Sequence, residues 1–499
     1  MSDNFDVVIV GCGPVGLFLA CELRLGGLSV LIVERRKAGE MGAGSRACIV
    51  HGRTLEIMEA RGLLEKMLGL GELTNWWHFG ILETRLDYSV FGNETKQNRV
   101  LILPQYSTED ILKQRAEKLG VNFIIGTVVE SLEPSATSVT VKGTSVDGTS
   151  FMVTSKYLVG ADGVHSMVQR AAGFDFEKSS IGTNTMITGE VSLGAEVCIP
   201  YVVKNDKGVV IAAPLDKARE RVRIGAWVAS RPNIPASTPL GLEEFNQTLE
   251  EASGIDWKCY NPEMLYRFTN ATGIVKNYRK GRIFLVGDAA HHHLPAGGQG
   301  LNLGLQEAFN LGWKLAAVVR DNAPESLLDT YQTERIDIAK SVVKNTTAQS
   351  LLFFANTQPE LEMRGTMNKL LSVPEGNRAL AWEISGFWIT YPKPLDMIAP
   401  VGWEALPEEL AGKRALDVKI RGPTNEEKWL SEYFTAGKWV QLQFLDRLSG
   451  KTPSLPAFDN MTEVVEVKEI LEGPGAIYQE SGLSEILIRP DSYLGFGKR

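Results

Sequence analysis

Residues 287–302, Gly-Asp-Ala-Ala-His-His-His-Leu-Pro-Ala-Gly-Gly-Gln-Gly-Leu-Asn, set one carboxylate, Asp288, among four glycines, between a strand-like run and a helical pattern. Glycines let a backbone approach a ligand closely. A helix start adds free N–H groups and a partial positive charge worth about 0.3 to 1 kcal/mol against an anion. The segment therefore reads as a clamp on an anionic group. Residues 282–286 ahead of it form an apolar run of buried-strand type. Behind it Leu301, Leu305, Ala308, Gly312, Leu315 and Ala316 recur at helical spacing, with Gln306, Glu307, Asn310 and Lys314 elsewhere on the cylinder.

A second glycine constellation opens the chain. Residues 5–10 read as an apolar strand, followed by Gly11-Cys12-Gly13-Pro14-Val15-Gly16, a helical run over 17–24, Gly26-Gly27, and a second strand over 29–33. A G-x-G-x-x-G between strand and helix brings the backbone to a pyrophosphate, and an acid about twenty residues on takes the ribose hydroxyls. Glu34, 34 − 16 = 18 residues after Gly16, fills that place, with Arg35 beside it. The pattern predicts dinucleotide binding without separating FAD from NAD.

The elements that must position these groups come from a chain of 499 residues, long enough for roughly two to four domains. A hydrophobic share of 44% with 22% charged residues predicts a folded protein with a substantial core. The formal charge of −8 and the lack of a long basic run argue against nucleic acid. Five scattered cysteines without a C-x-x-C pair favour reduced thiols. With no signal-peptide pattern and no apolar run of roughly 18 residues, the expectation is a cytoplasmic protein away from membranes.

Along the chain, residues 108–119 predict a helix capped by Ser107 or Thr108. Short strands follow at 121–125, 138–141, 151–153 and 157–159, then a turn at Gly160-Ala161-Asp162-Gly163 and a helix near 166–172. Residues 208–213 and 222–227 form a plausible strand pair in an inserted sheet. The segment 363–394 resists assignment, and strands at 439–445 and 486–488 suggest a separate C-terminal unit.

Three segments in order, the Gly11 hexad, Gly160-Ala161-Asp162-Gly163-Val164-His165-Ser166 and residues 287–302, resemble the fingerprints of the class A flavin-dependent aromatic hydroxylases of the p-hydroxybenzoate hydroxylase fold. Ser45-Arg46-Ala47, Arg53-Thr54-Leu55-Glu56-Ile57, Leu103-Pro104-Gln105-Tyr106 and residues 310–315 and 328–335 are similar to family segments as well. Residues 487–493 resemble the end of the thioredoxin-like domain of the phenol-hydroxylase-like members. The resemblance implies an α/β fold with a Rossmann-like FAD-binding domain (1–180 and 276–400), an inserted β-sheet substrate domain (181–275, with 75–100 contributing), and a thioredoxin-like α/β domain (401–499). Without a cysteine, that last domain is read as structural or as an interface.

It also implies roles. Gly11, Gly13, Pro14, Val15 and Gly16 would face the FAD pyrophosphate, Glu34 and Arg35 the adenosine ribose, and Arg46 and Gln105 the phosphates and ribityl chain. Asp162 would serve both FAD and a visiting NADPH or NADH, and Asp288 the ribityl and pyrophosphate region. Gly298, Gly300, Leu301 and Asn302 would turn N–H groups to the flavin's pyrimidine edge, and Pro295 would sit where oxygen reacts. The implied reaction is flavin reduction by NAD(P)H, formation of a flavin C4a-hydroperoxide from O2, and oxygen transfer to a phenolic or polyketide-like aromatic, with no protein nucleophile. Baeyer–Villiger or epoxidising chemistry, a flavin-binding protein without turnover, and homodimerisation stay open. Leu294 stands where the family commonly has proline, and Glu307 where aspartate is frequent.

Three adjacent histidines, His291, His292 and His293, invite a metal, but neighbours in an extended segment point to opposite sides, so no metal site is expected. Cys12 is read as a small side chain inside the hexad. Trp76, Trp77, His78 and Trp227 could line an aromatic pocket or fill the core. Arg223 could face a phenolate or solvent, and with Trp227 and Pro295 it is the candidate wall of the reaction site.

Overall fold

The computed structural model describes residues 4–40, 47–178, 184–216, 218–231, 233–392, 398–448 and 457–499. Strand β1, Asn4–Val10, is apolar on both faces over 7–10, as a strand inside a parallel sheet must be. Helix α1, Pro14–Leu25, follows with Pro14 in its first turn, and β2, Val30–Glu34, returns beside β1. The parallel strands run in the order Ile283–Leu285, Ser150–Gly160, β1, β2 and Asn122–Ile125. Val10 pairs with Gly160 and Gly160 with Leu285, so the chain leaves these three strands at one level of the carboxyl edge. Open α/β sheets place their ligands outside that edge.

Helix α1 packs against the Gln299–Arg320 helix through two glycines. A Cβ on Gly312 would lie 2.5 Å from Glu22 Cβ, and one on Gly26 would lie 2.3 Å from Ala316 Cβ. Close approach here requires glycine, because any side chain would push the helices apart.

Several local expectations change. The helix expected from residue 108 begins at Gln105 and ends at Lys118, with Pro104 as its N-cap; the fixed φ of proline ends the preceding extended segment there. The strands expected at 151–153 and 157–159 are one strand, Ser150–Gly160, carried through its polar middle by pairing with β1 and with Val139–Ser145. Of the segment 363–394, residues 393 and 394 lie outside the described residues, and the rest takes in most of the helix Gln358–Leu371 and all of Pro374–Ser385. No helix among the described residues is long and apolar enough to cross a membrane.

A five-stranded antiparallel sheet runs in the order Tyr201–Lys204, Gly208–Pro214, Val222–Val228, Thr185–Ser192, Tyr260–Thr269. Ile187, Val191, Val210, Ala212, Val222, Ile224 and Ala226 bury one face with Phe245, Leu249 and Trp257, beneath the Leu242–Ser253 helix. The two-residue period sends Arg223, Gly225 and Trp227 to the opposite face.

In the C-terminal part, Trp439–Phe444 runs parallel to Thr462–Val467 and antiparallel to Glu485–Ile488, which pairs with Leu494–Lys498. The turn after Glu485–Ile488 reaches the first unit. Arg489 binds Glu334 and Asp491, Lys314 Nζ lies 2.7 Å from Glu334, and Asn310 bonds both Glu334 and Asp491, all of them buried. The polar side of the Gln299–Arg320 helix is thus buried too: Glu307, Asn310 and Lys314 are each 0% exposed. Buried charges of this kind persist only when paired.

Candidate active site

The hexad is built by steric demand. Gly11 has φ +108, and a Cβ on it would lie 2.4 Å from the carbonyl oxygen of Ala161 in the second motif; one on Gly16 would lie 2.3 Å from Gly11 O. Gly13, the N-cap of α1, has nothing within 4 Å of its Cβ position. Two glycines therefore fold the loop tightly, and the third opens toward free space at a helix N-terminus that has no side-chain cap. This is the cradle a pyrophosphate needs.

Glu34 ends β2 with 5% exposure, and its Oε2 accepts the Cys12 N–H at 2.7 Å while Oε1 accepts the Arg36 N–H at 2.8 Å. Burial alone would raise this carboxyl; the Arg36 guanidinium and these N–H donors outweigh it and hold the group below the usual carboxylate range. Arg35 is exposed, and Arg36 is the guanidinium beside Glu34. Burial pushes the Cys12 thiol up to about 12, so it is protonated and inert. In the second motif Asp162 turns inward: Oδ2 accepts from Met167 N and Val168 N, at 2.6 and 3.1 Å, and Ser166 caps the following helix through Gln169 N. Burial raises Asp162 above its ordinary value, although these bonds oppose it. Gln105 accepts from Ala47 N at 3.0 Å and donates to Glu109 at 2.7 Å.

The third motif hangs from Glu307. Its carboxylate accepts the Gly287 N–H at 2.7 Å, bonds His291 Nε2 at 2.9 Å and accepts from Tyr278 OH at 3.1 Å. Burial would lower His291; the Glu307 carboxylate overrides it and raises that imidazole above its ordinary value. The three histidines diverge. His292 stacks on Phe176 at 4.6 Å, and His293 Nδ1 donates to Leu294 O at 2.8 Å, leaving Nε2 at 3.6 Å from the Cβ position of Gly300. Asp288 is exposed, with Oδ1 3.9 Å from that position.

Gly297 and Gly298, at φ +75 and +69, turn the chain into the Gln299–Arg320 helix. A buried and a half-buried donor hold that turn: His51 Nε2 lies 2.7 Å and Trp77 Nε1 3.0 Å from Gly297 O. A carbonyl only accepts, so His51 carries its proton on Nε2, and Nδ1 accepts from Tyr88 OH at 3.2 Å. Burial lowers His51 to about 4, with the Gly297 carbonyl opposing, so the ring is neutral near pH 7. The Asn302 side chain is fully engaged, accepting from His51 N at 2.8 Å and donating to Ile49 O and Gly298 O. Only its backbone is left to face a ligand.

Beyond the turn stands the other face of the five-stranded antiparallel sheet. Trp227, Val209 and Met186 join Leu294, Ala296, Ile81, Phe353 and Phe354 in one buried apolar cluster, with Trp227 and Phe354 ring centroids 5.1 Å apart. Four residues along the strand from Trp227, past Gly225 on the same face, Arg223 forms an ion pair with Glu190, each side chain 12% exposed. Pro295 is exposed, while Leu294 beside it is 2% exposed.

A family profile described as the FAD binding domain matches residues 4–346. An uncharacterized aromatic compound monooxygenase of Bacillus subtilis is 35% identical over 99% of this chain and 95% of its own length. The 12-dehydrotetracycline 5-monooxygenase/anhydrotetracycline 6-monooxygenase of Streptomyces rimosus is 36% identical over 98% of this chain and 95% of its own. The chain belongs to the FAD-dependent aromatic hydroxylases. The solved structure of the anhydrotetracycline hydroxylase from Streptomyces rimosus superposes with a TM-score of 0.85 at 34% identity, covering 99% of this chain and 96% of that one. The expected α/β architecture of the family is borne out. So is its chemistry: an FAD-dependent monooxygenase reduced by NAD(P)H.

Of the residues selected from sequence, Gly11, Gly13, Pro14, Val15, Gly16, Glu34, Asp162 and Asp288 gather at the carboxyl edge, and Gly298, Gly300, Leu301 and Asn302 start the helix that closes it. Val15 bridges motifs, its Cγ2 lying 3.3 Å from the Cβ position of Gly287. Arg46 lies outside the described residues. Arg36, His51, Tyr88 and Gln349 were not selected. They stand in no spaced motif, and only the tertiary fold brings them to the loops they hold.

Proposed function

We propose that this hydroxylase acts on a polycyclic phenol of polyketide type, with its rings against the apolar cluster of Trp227, Leu294 and Phe354 and its polar edge toward Arg223 and Glu190. The single observation that carries this is the two-ended sheet face: an apolar group beside the Gly297–Gly298 turn and a charged pair four residues away on the same strand face. Relatives acting on anhydrotetracycline support the same class.

The residues fit FAD. Gly11, Gly13 and Gly16 would seat the pyrophosphate on the α1 N-terminus, and Glu34 the ribose. Gln105, Asp162 and Asp288 would border the ribityl chain, and the N–H groups of residues 300–302 would meet the pyrimidine edge. When bound, the flavin supplies the redox and oxygen-transfer chemistry. The protein's part is orientation, exclusion of water and a fixed positive field from the Gln299–Arg320 helix start, where charge on a reduced ring would lie. The C-terminal sheet, with one parallel and three antiparallel pairings, supports a thioredoxin-like domain that docks through Arg489 without thiol chemistry.

The test is purification followed by a screen of phenols and polycyclic phenolic ketones for stimulated NADPH consumption under ¹⁸O₂. The expected result is a yellow protein that places one labelled oxygen on a polycyclic phenol. A protein that takes up no FAD, or that consumes NADPH without labelled product, refutes the reading.

A further inference from the structure

Ile81 is a β-branched residue at φ +56, directly after Gly80 at φ +54. Branched side chains avoid the left-handed region, so such a backbone persists only where its surroundings over-determine it. Here they do. Arg364 reaches in from the Gln358–Leu371 helix, donating through Nη1 to Gly80 O at 2.8 Å and through Nη2 to Ile81 O at 2.7 Å. The same guanidinium bonds Leu352 O, one of the last carbonyls of the Asp329–Phe354 helix. From the other side Gln349 Oε1 accepts the Gly80 N–H at 3.0 Å. Gly80 can be nothing larger, since a Cβ there would lie 2.7 Å from Leu352 Cβ.

The strained turn delivers the Ile81 side chain, 4% exposed, into the cluster of Trp227, Leu294, Phe353 and Phe354. The turn is also tied to the loop before the Gln299–Arg320 helix. Gln349 Nε2 donates to Asn345 Oδ1 at 2.7 Å, and the same oxygen accepts from Gln299 Nε2 at 3.0 Å. The helix that carries Arg364 buries only Leu371 among its described residues, so the latch sits on an element with few apolar contacts of its own.

We infer that Ile81 is the specificity-determining gate of the ring site proposed at the Trp227 cluster, a branched side chain held there by the Arg364 and Gln349 latches on a strained turn. The inference rests on the proposed substrate class for what the site takes, and deepens it. With the latch closed Ile81 fills part of the cluster; freeing the turn lets it swing out and admits a wider ring system.

The test uses the FAD-loaded full chain and two probes, 2-naphthol and the three-ring alizarin, with dissociation constants read from tryptophan fluorescence. Ile81→Gly, which tolerates φ +56 and removes the side chain, should shift the alizarin-to-naphthol affinity ratio about tenfold toward alizarin, the scale on which apolar pockets sense added or missing methylenes. Arg364→Gln should shift it the same way, while Ile81→Val should stay close to wild type. A ratio unchanged in both Ile81→Gly and Arg364→Gln overturns the gate, as does failure of every form to bind either probe. Because the readout needs no turnover, a shifted ratio in a protein that places no oxygen on a polycyclic phenol would uphold the gate and refute the proposed substrate class; an unshifted ratio in a protein that does hydroxylate one would do the reverse.

Discussion

Glu307 Oε2 accepts the backbone N–H of Gly287 at 2.7 Å, from a carboxylate with no solvent exposure that also binds His291 and Tyr278. The loop carrying Asp288 is therefore positioned from beneath by a glutamate on the helix that follows it. An aspartate here would be one methylene shorter, so the extra length sets how far the loop stands off the helix. Glu307→Ala leaves the Gly287 N–H, His291 and Tyr278 without their acceptor and should destabilise the protein by about 3 kcal/mol, the range for stripping one partner from a buried pair. Urea unfolding gives the value, and a loss below about 1 kcal/mol would show that the loop holds itself.

Glu34 should matter to flavin retention more than to folding. In the structure its carboxylate fastens the Cys12 N–H and Arg36 at the mouth of the hexad. Glu34→Ala is expected to weaken FAD affinity by about 1 to 3 kcal/mol, as for a buried donor left unmade. Dialysis with recovery of flavin fluorescence measures it, and unchanged affinity would remove Glu34 from the cofactor site.

His51 predicts a pH dependence. Its folded value, about 4, lies below the ordinary 6.5 because burial disfavours the charged ring. The unfolded chain thus binds more protons between these values, so the His51 contribution is complete above pH 6.5 and disappears as pH falls toward 4. The integrated effect is about 3 kcal/mol. His51→Gln, with an amide to reach Gly297 O, should be less stable than wild type at pH 7, and the gap should narrow steadily toward pH 4. A gap constant over that range contradicts the neutral, Nε2-protonated ring.

Leu294 is tested by Leu294→Ala. At 2% exposure in the cluster with Trp227, truncation should cost about 2 to 4 kcal/mol and open a cavity beside the indole. A red-shifted Trp227 emission, isolated with Trp227→Phe as control, would follow from water entering. An unaltered emission would mean that the cluster closes over the gap.

Much of the first unit was legible in the chain. Gly11, Gly13 and Gly16 between two apolar runs, with Glu34 18 residues on, announce their turn because backbone sterics there are local. Local signals failed where the partner was distant. Residues 151–159 read as two strands until β1 paired along them, and Glu307, Asn310 and Lys314 read only as the other side of a helix until Gly287 and His291 met the first and Glu334 and Asp491 the others. Arg223 had no decidable face until the sheet's period was anchored by Val222, Ile224 and Ala226 beneath the Leu242–Ser253 helix.

The sequence by itself determined the three glycine motifs, their order and the family they signal, because tight turns and helix starts depend on residues a few positions apart. Only the tertiary structure decided that these motifs share one sheet edge, that His51 and Trp77 hold the turn of the third, and that Ile81 reaches the cluster of Trp227 and Leu294 on a turn held by Arg364. Those relations join residues some 120 to 280 positions apart, and they exist only once the packing of sheets and helices has brought the distant groups together.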